Sequence, residues 1–299
     1  MTTPGLSRLF WACAPVVFVL FWAGGYSFAK LGLPHIEPMT MLAVRYGLAV
    51  LCLLPLLAIY RPALPRDATH WLLMALSGFL IQCVYFGLAY LAMKQGLAAG
   101  TTAIIMALQP ALVAALAPLV AEPRGRPVMW VGLGLGFAGV ALSVLDNTGN
   151  QGVPLSAGLL ALGALAGISA ATLLEKAHGR RTDPILGGVV QYAVGVCVLT
   201  PIALWSETQV INWHPNLIIS LAYLIIANSL ISISLYVALV QRGNMTQVST
   251  LMYLVPPLAL MLAWGLLGEP ITLHTVIGFG LCLLGVYIVS RSKVGINHP

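Results

Sequence analysis

The chain has 299 residues, of which 60% are hydrophobic and 7% are charged, whereas a soluble globular domain has about 25% charged residues. Its mean hydropathy of +0.95 leaves too few polar side chains to cover a water-facing surface, which excludes a soluble enzyme. The net charge of +6 fits basic residues that flank membrane spans on the cytoplasmic side, so no nucleic acid partner is expected.

Ten apolar stretches, each long enough to cross a bilayer as a helix, divide the chain. In chain order they begin near Phe10, Pro38, Thr69, Leu97, Pro127, Leu155, Ile185, Pro215, Met245 and Thr272. The first follows Arg8 as the apolar part of a signal peptide would, but we interpret it as a retained span because the others come after it. The sequence therefore predicts an all-α integral membrane protein surrounded by the lipid bilayer.

The basic residues predict how the spans are oriented. If the N-terminus is cytoplasmic, eleven of the fourteen basic residues fall in inside segments, two fall outside, and Arg45 lies within a span. The inside residues are Arg8, Arg61, Arg66, Arg124, Arg126, Lys176, Arg180, Arg181, Arg242, Arg291 and Lys293, and the outside residues are Lys30 and Lys94. Both termini are thus predicted to be cytoplasmic, which requires an even number of spans.

The first half of the sequence is similar to the second at an offset of 146 residues. The aligned pairs include Lys30 with Lys176, Arg45 with Gln191, Gln82 with Asn228, and Pro110 with Pro256. Each half has five spans, an odd number, so the second half must enter from the opposite side of the membrane. We predict two inverted five-helix repeats, residues 1–146 and 147–299, around a central cavity, an arrangement typical of secondary transporters.

Polar residues in the middle of spans are candidates for a substrate site, because they cost free energy in hydrocarbon. Gln82 and Asn228, at equivalent positions of the two halves, could bind the ammonium and carboxylate groups of a zwitterion. Alternatively they only join neighbouring helices, which contributes about 0.6 to 2 kcal/mol. Gln109 precedes Pro110, and Pro110 and Pro256 are expected to bend their helices as hinges.

Aromatic residues mark one face of the first span. Phe18, Trp22 and Tyr26 recur every four residues, a spacing that is common in packing against lipid or a neighbouring helix. Trp22 and Tyr26 nevertheless lie deeper than interfacial aromatic residues do, and could line a cavity that stacks flat side chains. The further candidates for this lining are Tyr85, Gln109, Ser169, Ser232 and Tyr253.

Two basic residues lie near the predicted path. Arg45 is about two turns into the second span, where a guanidinium must be paired or near water. It could attract a substrate carboxylate, or it could bond helix-end carbonyls or Glu37, and we favour the structural interpretation. Lys30, near the outer end of the first span, has the same two interpretations.

All the acidic residues fall in loops or at helix ends, and no histidine lies in the middle of a span. The acids are Glu37, Asp67, Glu122, Asp146, Glu175, Asp183, Glu207 and Glu269. A proton relay needs an ionisable group at depth, so uniport is favoured over proton antiport. Glu175 is the least secure of these assignments, because the sixth span could extend past it.

No motif for catalysis or for binding a metal or cofactor stands out. The glycine pattern at residues 134–139 matches a dinucleotide-binding fingerprint, but no strand precedes it. With Gly132 it gives a helix-packing surface, matched by Gly278 and Gly280 in the last span. The five cysteines lie in apolar runs without paired spacing and are interpreted as small hydrophobic side chains. We expect no cofactor, no metal and no enzyme activity.

These features resemble the ten-helix EamA branch of the drug/metabolite transporter superfamily. The resemblance rests on residues 22–25 (Trp-Ala-Gly-Gly), Lys30, Arg45, and the stretch from Pro110 to Glu122-Pro123 followed by Gly132 and Gly139, together with their second-half counterparts. Within that branch the chain is most similar to aromatic amino acid exporters of bacterial inner membranes. The resemblance implies export of hydrophobic amino acids or related amphiphiles by alternating access.

The expected partner is therefore a small-molecule substrate, an amino acid, moved by a monomer in the cell inner membrane. A broad multidrug or nucleotide-sugar carrier is the alternative within the same class. An integral membrane transferase is the alternative from another class, and would need buried carboxylates or a metal site.

Overall fold

The computed structural model describes residues 4–120, 127–178, 182–232, 235 and 254–294, and every regular element within these ranges is a helix. The helices are α1 (Pro4–Gly32), α2 (Pro38–Tyr60), α3 (Ala68–Lys94), α4 (Ala99–Leu116), α5 (Val128–Gln151), α6 (Leu155–His178), α7 (Pro184–Ser206), α8 (Pro215–Ser232), α9 (Val255–Leu267) and α10 (Leu273–Val294). Among them nine are long and apolar enough to cross a membrane, and α9 is a shorter apolar helix. The prediction of an all-helical, multi-pass membrane protein is confirmed.

Proline and aspartate begin several helices. Pro38, Pro184 and Pro215 occupy the first turn of α2, α7 and α8, where the missing N–H breaks no helical hydrogen bond. The carboxylates of Asp67 and Asp183 accept backbone N–H groups in the first turn of α3 and α7. Because such signals are local, eight of the ten predicted starts agree with the structure to within two residues, whereas the first helix begins at Pro4 and not near Phe10 as predicted. The ninth, near Met245, lies outside the described residues.

Equivalent helices of the two halves meet at opposite ends. In three of the equivalent pairs, a hydrogen bond joins the start of one helix to the end of the other. The bonds are Thr40 of α2 with Glu207 after α7, Ala99 of α4 with Glu269 after α9, and Thr272 before α10 with Asp146 of α5. A helix whose start touches the end of its equivalent runs antiparallel to it. The two halves are therefore inverted, as the odd number of spans in each half predicted.

Glycines bring α5 and α10 into backbone contact. A Cβ atom on Gly132 would lie 2.7 Å from the Gly285 carbonyl oxygen, and one on Gly278 would lie 2.6 Å from that of Gly139. Packing through Gly132 and Gly278 is confirmed, and the glycine pattern is a helix interface. The predicted role of Gly280 was wrong, because its Cβ direction meets open space and Gly285, one turn further on, lies at the contact instead.

The first helix of each half packs against the opposite half. Helix α1 contacts α8 and α9, and α6 contacts α3 and α4. The third and fourth helices of each half thus pack between helices of their own half and the first helix of the other half. Side chains on α3 and α8 consequently face the interior of the bundle, where the polar residues gather.

Candidate functional site

A buried arginine lies where α2, α3 and α8 meet. The side chain of Arg45 is 1% exposed and donates hydrogen bonds to Tyr90 Oη at 2.9 Å, Asn228 Oδ1 at 2.8 Å and Ser229 Oγ at 3.1 Å. Its guanidinium carbon lies 4.9 Å from the ring centroid of Phe86. Arginine stays protonated in proteins, so neutral side chains surround a fixed positive charge at the depth of the spans.

No carboxylate pairs with Arg45 in the part of the chain that the structure describes. Glu37, the expected structural partner, instead accepts a hydrogen bond from the backbone N–H of Thr208 at 2.6 Å. Glu37 is the N-cap of α2 and has extended backbone with ψ of 152°, so its side chain leaves the helical face of Arg45. The expected bond between Arg45 and Glu37 was wrong, and so was the bond to helix-end carbonyls, because the acceptors are side chains of α3 and α8.

Two π-helical segments shape the cluster and occupy equivalent parts of the two halves. Phe79–Tyr85 in α3 carries Gln82, and Tyr223–Ser232 in α8 carries Asn228 and Ser229. Neighbouring side chains of an α-helix point about 100° apart, whereas in this wider turn Asn228 and Ser229 both reach Arg45. π-Helical turns inside α-helices are frequent at functional sites.

Asn228 also joins the cluster to α1. Its Nδ2 group donates to the carbonyl oxygen of Phe21 at 3.2 Å. A Cβ atom on Gly25 would lie 2.7 Å from that same nitrogen, so the amide fits here because residue 25 has no side chain. The Gly24-Gly25 pair therefore allows α8 to approach α1 closely.

Gln82 has an unused polar atom. Its side chain is 4% exposed, and its Oε1 atom has no hydrogen-bond partner among the described residues. The backbone carbonyl of Gln82 accepts a bond from Tyr46 Oη at 3.2 Å. A buried acceptor without a donor costs about 1–3 kcal/mol, so Oε1 of Gln82 is a candidate acceptor for a substrate.

Aromatic rings surround the polar atoms. The hydroxyl groups of Tyr26 and Tyr85 lie 3.1 Å apart, the rings of Tyr85 and Phe86 have centroids 4.5 Å apart, and Tyr46 stacks on Tyr192 with centroids 5.4 Å apart. The structure thus brings the predicted residues Tyr26, Tyr85, Gln82 and Asn228 to the region around Arg45. All of them are buried or partly buried.

Other predicted residues take part in separate contacts. Trp22 packs against an apolar cluster formed by α1 and α9. Gln109 donates to Thr172 Oγ1 at 2.9 Å, and Ser232 donates to a backbone carbonyl of its own helix. Ser169 is fully buried on α6, and its hydroxyl has no partner among the described residues. Tyr253 lies outside the described residues.

The structure interrupts α4 at the predicted hinge. Its two parts, Ala99–Ala107 and Gln109–Leu116, are separated by Leu108, which has φ −76° and ψ −12°. Pro110 follows directly in the first turn of the second part. Leu254 has similar angles, φ −83° and ψ −14°, just before Pro256 in the first turn of α9. The interruption at Pro110 is thus observed, while the hinge motion stays a prediction for both prolines.

Lys30 lies away from Arg45, in the last turn of α1. Its Nζ donates to the carbonyl oxygens of Gly96 and Leu97 and forms an ion pair with Glu269 at 3.3 Å. Glu175, in the last turn of α6, accepts a hydrogen bond from the buried hydroxyl of Ser77 at 2.7 Å. Neither charged group belongs to the cluster around Arg45.

Sequence reasoning did not identify several members of the cluster. These are Tyr46, Phe86, Tyr90, Tyr192 and Ser229. The repeat alignment carried a signal for two of them, because it places Tyr46 opposite Tyr192. Tyr90 and Ser229 follow Gln82 and Asn228 among the flanking polar and aromatic residues of the sequence, but the sequence does not show which of these residues face Arg45.

Comparison with known proteins extends these observations. The sequence is 26% identical over 288 residues to the uncharacterized transporter YvbV of Bacillus subtilis, covering 94% of this chain and 93% of that protein. It is also 26% identical to the uncharacterized inner membrane transporter YedA of Escherichia coli, over 92% and 88% of the two chains. A probable amino-acid metabolite efflux pump of Salmonella typhimurium is 25% identical over 91% and 92%.

One crystal structure has the same fold, with a TM-score of 0.63 at 15% identity, over 95% of this chain and 98% of that one. The EamA-like transporter family matches the sequence twice, over residues 9–145 and 155–291. These two matches cover most of both halves, and the curated relatives are named as transporters. The chain is a multi-pass membrane protein that belongs to the EamA-like transporter family.

Proposed function

We propose that the protein exports aromatic and other hydrophobic amino acids, or related amphipathic metabolites, by alternating access. The observation that carries this proposal is the buried guanidinium of Arg45, whose hydrogen-bond partners among the described residues are neutral. A buried charge without a counter-ion is costly. A substrate carboxylate would supply that counter-ion, and a guanidinium can bind it through two parallel hydrogen bonds.

The neighbouring groups fit the rest of an amino acid. The unpartnered Oε1 of Gln82 would accept a hydrogen bond from the substrate ammonium. The rings of Tyr85, Phe86 and Tyr26 would pack against an aromatic or large aliphatic side chain, and the ring pairs already observed are tilted as aromatic pairs prefer. The cluster thus offers one site for each part of a hydrophobic zwitterion.

The relatives support this substrate class and an inner-membrane location. The Salmonella relative is named a probable amino-acid metabolite efflux pump, and the Escherichia coli relative is named an inner membrane transporter. The overall resemblance to the aromatic amino acid exporter YddG points the same way. We propose that a single chain forms the pathway, with residues 1–146 and 147–299 as the two moving repeats.

Uniport is the mechanism that the acidic residues support. The described acids lie in loops or near helix ends and accept hydrogen bonds from helix starts, hydroxyl groups or Lys30. A proton-coupled cycle needs a carboxylate that faces the substrate path at depth. The substrate would therefore run down its own gradient.

A nucleotide-sugar carrier fits the cluster less well. Such a substrate carries phosphate charges that several cations would have to balance, whereas the described cluster contains Arg45 and the cation Lys30 is paired with Glu269. A multidrug carrier would need no fixed charge of this kind. The test of function therefore compares zwitterions with other solutes.

The experiment is uptake into liposomes that contain the purified protein. Labelled phenylalanine, tryptophan, methionine and threonine are offered with and without a pH gradient, beside a labelled nucleotide sugar and a cationic dye. We expect phenylalanine and tryptophan to enter faster than in empty vesicles, at a rate independent of the pH gradient. The amino acid proposal fails if none of the four exceeds empty vesicles, and uniport fails if the flux follows the imposed gradient.

A further inference from the structure

We propose that the contacts of Glu269 hold closed an outer gate, formed by the start of α4 and by α9. These contacts, which we call the latch, break in each transport cycle when substrate leaves. This inference rests on the proposed function and concerns the regulation of the same pathway. Glu269 accepts hydrogen bonds from the backbone N–H groups of Ala99 at 2.8 Å and Gly100 at 3.2 Å, and pairs with Lys30 at 3.3 Å. One carboxylate of the second half thus holds the tips of α1 and α4 of the first half.

The latch uses a helix start that would otherwise lack acceptors. The first N–H groups of a helix have no partner within it, and their partial positive charge favours an anion. Asn147 of α5 accepts the N–H of Ala98 at 3.2 Å, and Glu269 accepts the next two. A carboxylate bonded to N–H groups makes a charge-assisted bond, stronger than a neutral one. Separating α9 from α4 would expose these groups together.

Two other carboxylate contacts between the halves, those of Asp146 and Glu207, belong to helix pairs that stay in contact further along. Helices α5 and α10 touch again at Gly132 and Gly285, and α2 and α7 touch again at Gly195 and Tyr46. Glu207 and Asp146 therefore reinforce pairs that pack along their length. Helix α9 packs on α1 and on the short segment Ala99–Ala107 of α4.

The segment Ala99–Ala107 of α4 lies between two points that would allow it to move as a unit. At one end is the latch, and at the other is the interruption at Leu108, directly before Pro110. Leu108 packs closely on α5, since a Cβ on Gly136 would overlap its Cδ1 atom. The nine residues Ala99–Ala107 thus form a short helical segment. At one end Leu108 is held by α5, and at the other the contacts with Glu269 can break.

The start of α4 packs closely against α9. A Cβ on Gly100 would lie 2.6 Å from Leu260 Cδ2 and 3.6 Å from Leu260 Cα. The space beside them, bordered also by Thr101, Asn147 and Glu269, has a volume of about 10 Å³, room for about one water molecule. Outward release from the Arg45 cluster through this end requires the tips to separate.

A reversible disulfide tests whether this separation occurs. Cysteines replace Gly100 and Leu260 in a chain whose exposed native cysteines, at positions 13, 52 and 197, are serines. The close approach of these positions fits a disulfide, and the substitution Leu260→Cys removes the side chain that would obstruct Cys at position 100. Oxidation should stop phenylalanine flux and reduction should restore it. Full flux in the fully cross-linked chain would overturn the proposal.

A distance measurement tests the latch without any transport. Spin labels are placed at Gln95 and Ile271, exposed residues on either side of the gate. The distances between the labels are recorded for the labelled protein with native Glu269 and for its Glu269→Gln and Glu175→Gln variants. Glu175→Gln is the matched control, since it also weakens a carboxylate bond between the halves, to Ser77.

We expect Glu269→Gln to raise the ratio of long to short distances about tenfold, as the loss of a bond to a charged group implies, and Glu175→Gln to leave it unchanged. An unchanged ratio in Glu269→Gln, or equal changes in both variants, would overturn the latch. If the distances shift in this way while no amino acid is transported, the latch stands and the proposed substrate fails.

Discussion

The Nη2 group of Arg45 lies 2.8 Å from Oδ1 of Asn228, and this bond joins the second helix of the first half to the third helix of the second half. The same amide holds α1 through the carbonyl oxygen of Phe21. Three helices therefore meet at one neutral amide that faces one buried charge. A substrate carboxylate that reaches Arg45 would compete with Asn228 for its N–H groups, and so would loosen this junction between the halves.

Supplying the missing counter-ion should block the site. In Asn228→Asp a carboxylate replaces the amide oxygen beside Nη2, and should pair with Arg45 in place of the substrate. We expect phenylalanine affinity, measured by titration of the purified protein, to fall by about tenfold or more, the usual effect of losing a hydrogen bond to a charged group. Asn228→Ala is the control, since it removes both bonds without adding charge. Equal losses in the Asp and Ala variants would contradict this explanation.

The substitution Gln82→Leu tests whether the Gln82 side chain serves substrate binding or the stability of the fold. The substitution removes a buried acceptor that has no donor among the described residues, so the free energy of unfolding should stay the same or rise. Affinity for amino acids should fall, while affinity for analogues without the ammonium group should not. Thermal unfolding in detergent and ligand titration measure the two quantities. A destabilised Gln82→Leu chain would show that the amide is structural.

Gly25→Ala should destabilise the contact between α1 and α8. The added methyl group would lie 2.7 Å from Asn228 Nδ2, and overpacking of this kind costs about 1–3 kcal/mol. Gly134→Ala is the matched control in α5, where a Cβ meets nothing within 4 Å. The unfolding midpoint should fall for Gly25→Ala alone. The account of Gly25 is wrong if the two variants unfold alike.

Gly139→Ala should likewise destabilise the contact between α5 and α10. Its Cβ would overlap the carbonyl oxygen of Gly278, and backbone atoms cannot move aside as a side chain can. Gly280→Ala, in the same pair of helices, places its methyl group in open space and should unfold as the native chain does. A lower midpoint for Gly280→Ala than for Gly139→Ala would contradict the observed interface.

The sequence predicted the spans and the inverted repeat because both depend on local or repeated patterns. Hydropathy marks the spans, and prolines such as Pro38 and Pro215 mark their starts. The odd number of spans in each half then requires inversion. The antiparallel contacts of Glu207 with Thr40 and of Glu269 with Ala99 confirm that inference.

The details of the site depended on turns that hydropathy does not reveal. The π-helical turns of α3 and α8 change which side chains face Arg45, so Ser229 and Tyr90 were missed. The expected pairing of Arg45 with Glu37 assumed that both residues share a helical face, but Glu37 lies outside the helix. The partner of Lys30 was not predicted, because Glu269 is distant in sequence and is brought to it only by the packing of α9 on α1 and α4.

The measurement that tests the central claim most directly is competition against labelled phenylalanine in counterflow, using unmodified protein in liposomes. Phenylalaninamide lacks the carboxylate that Arg45 is proposed to bind, and it should compete about tenfold or more less well than phenylalanine. The difference should disappear in Arg45→Gln and persist in Arg66→Gln, which changes an arginine in an exposed loop. Equal competition by phenylalaninamide and phenylalanine in the native protein would contradict the role proposed for Arg45.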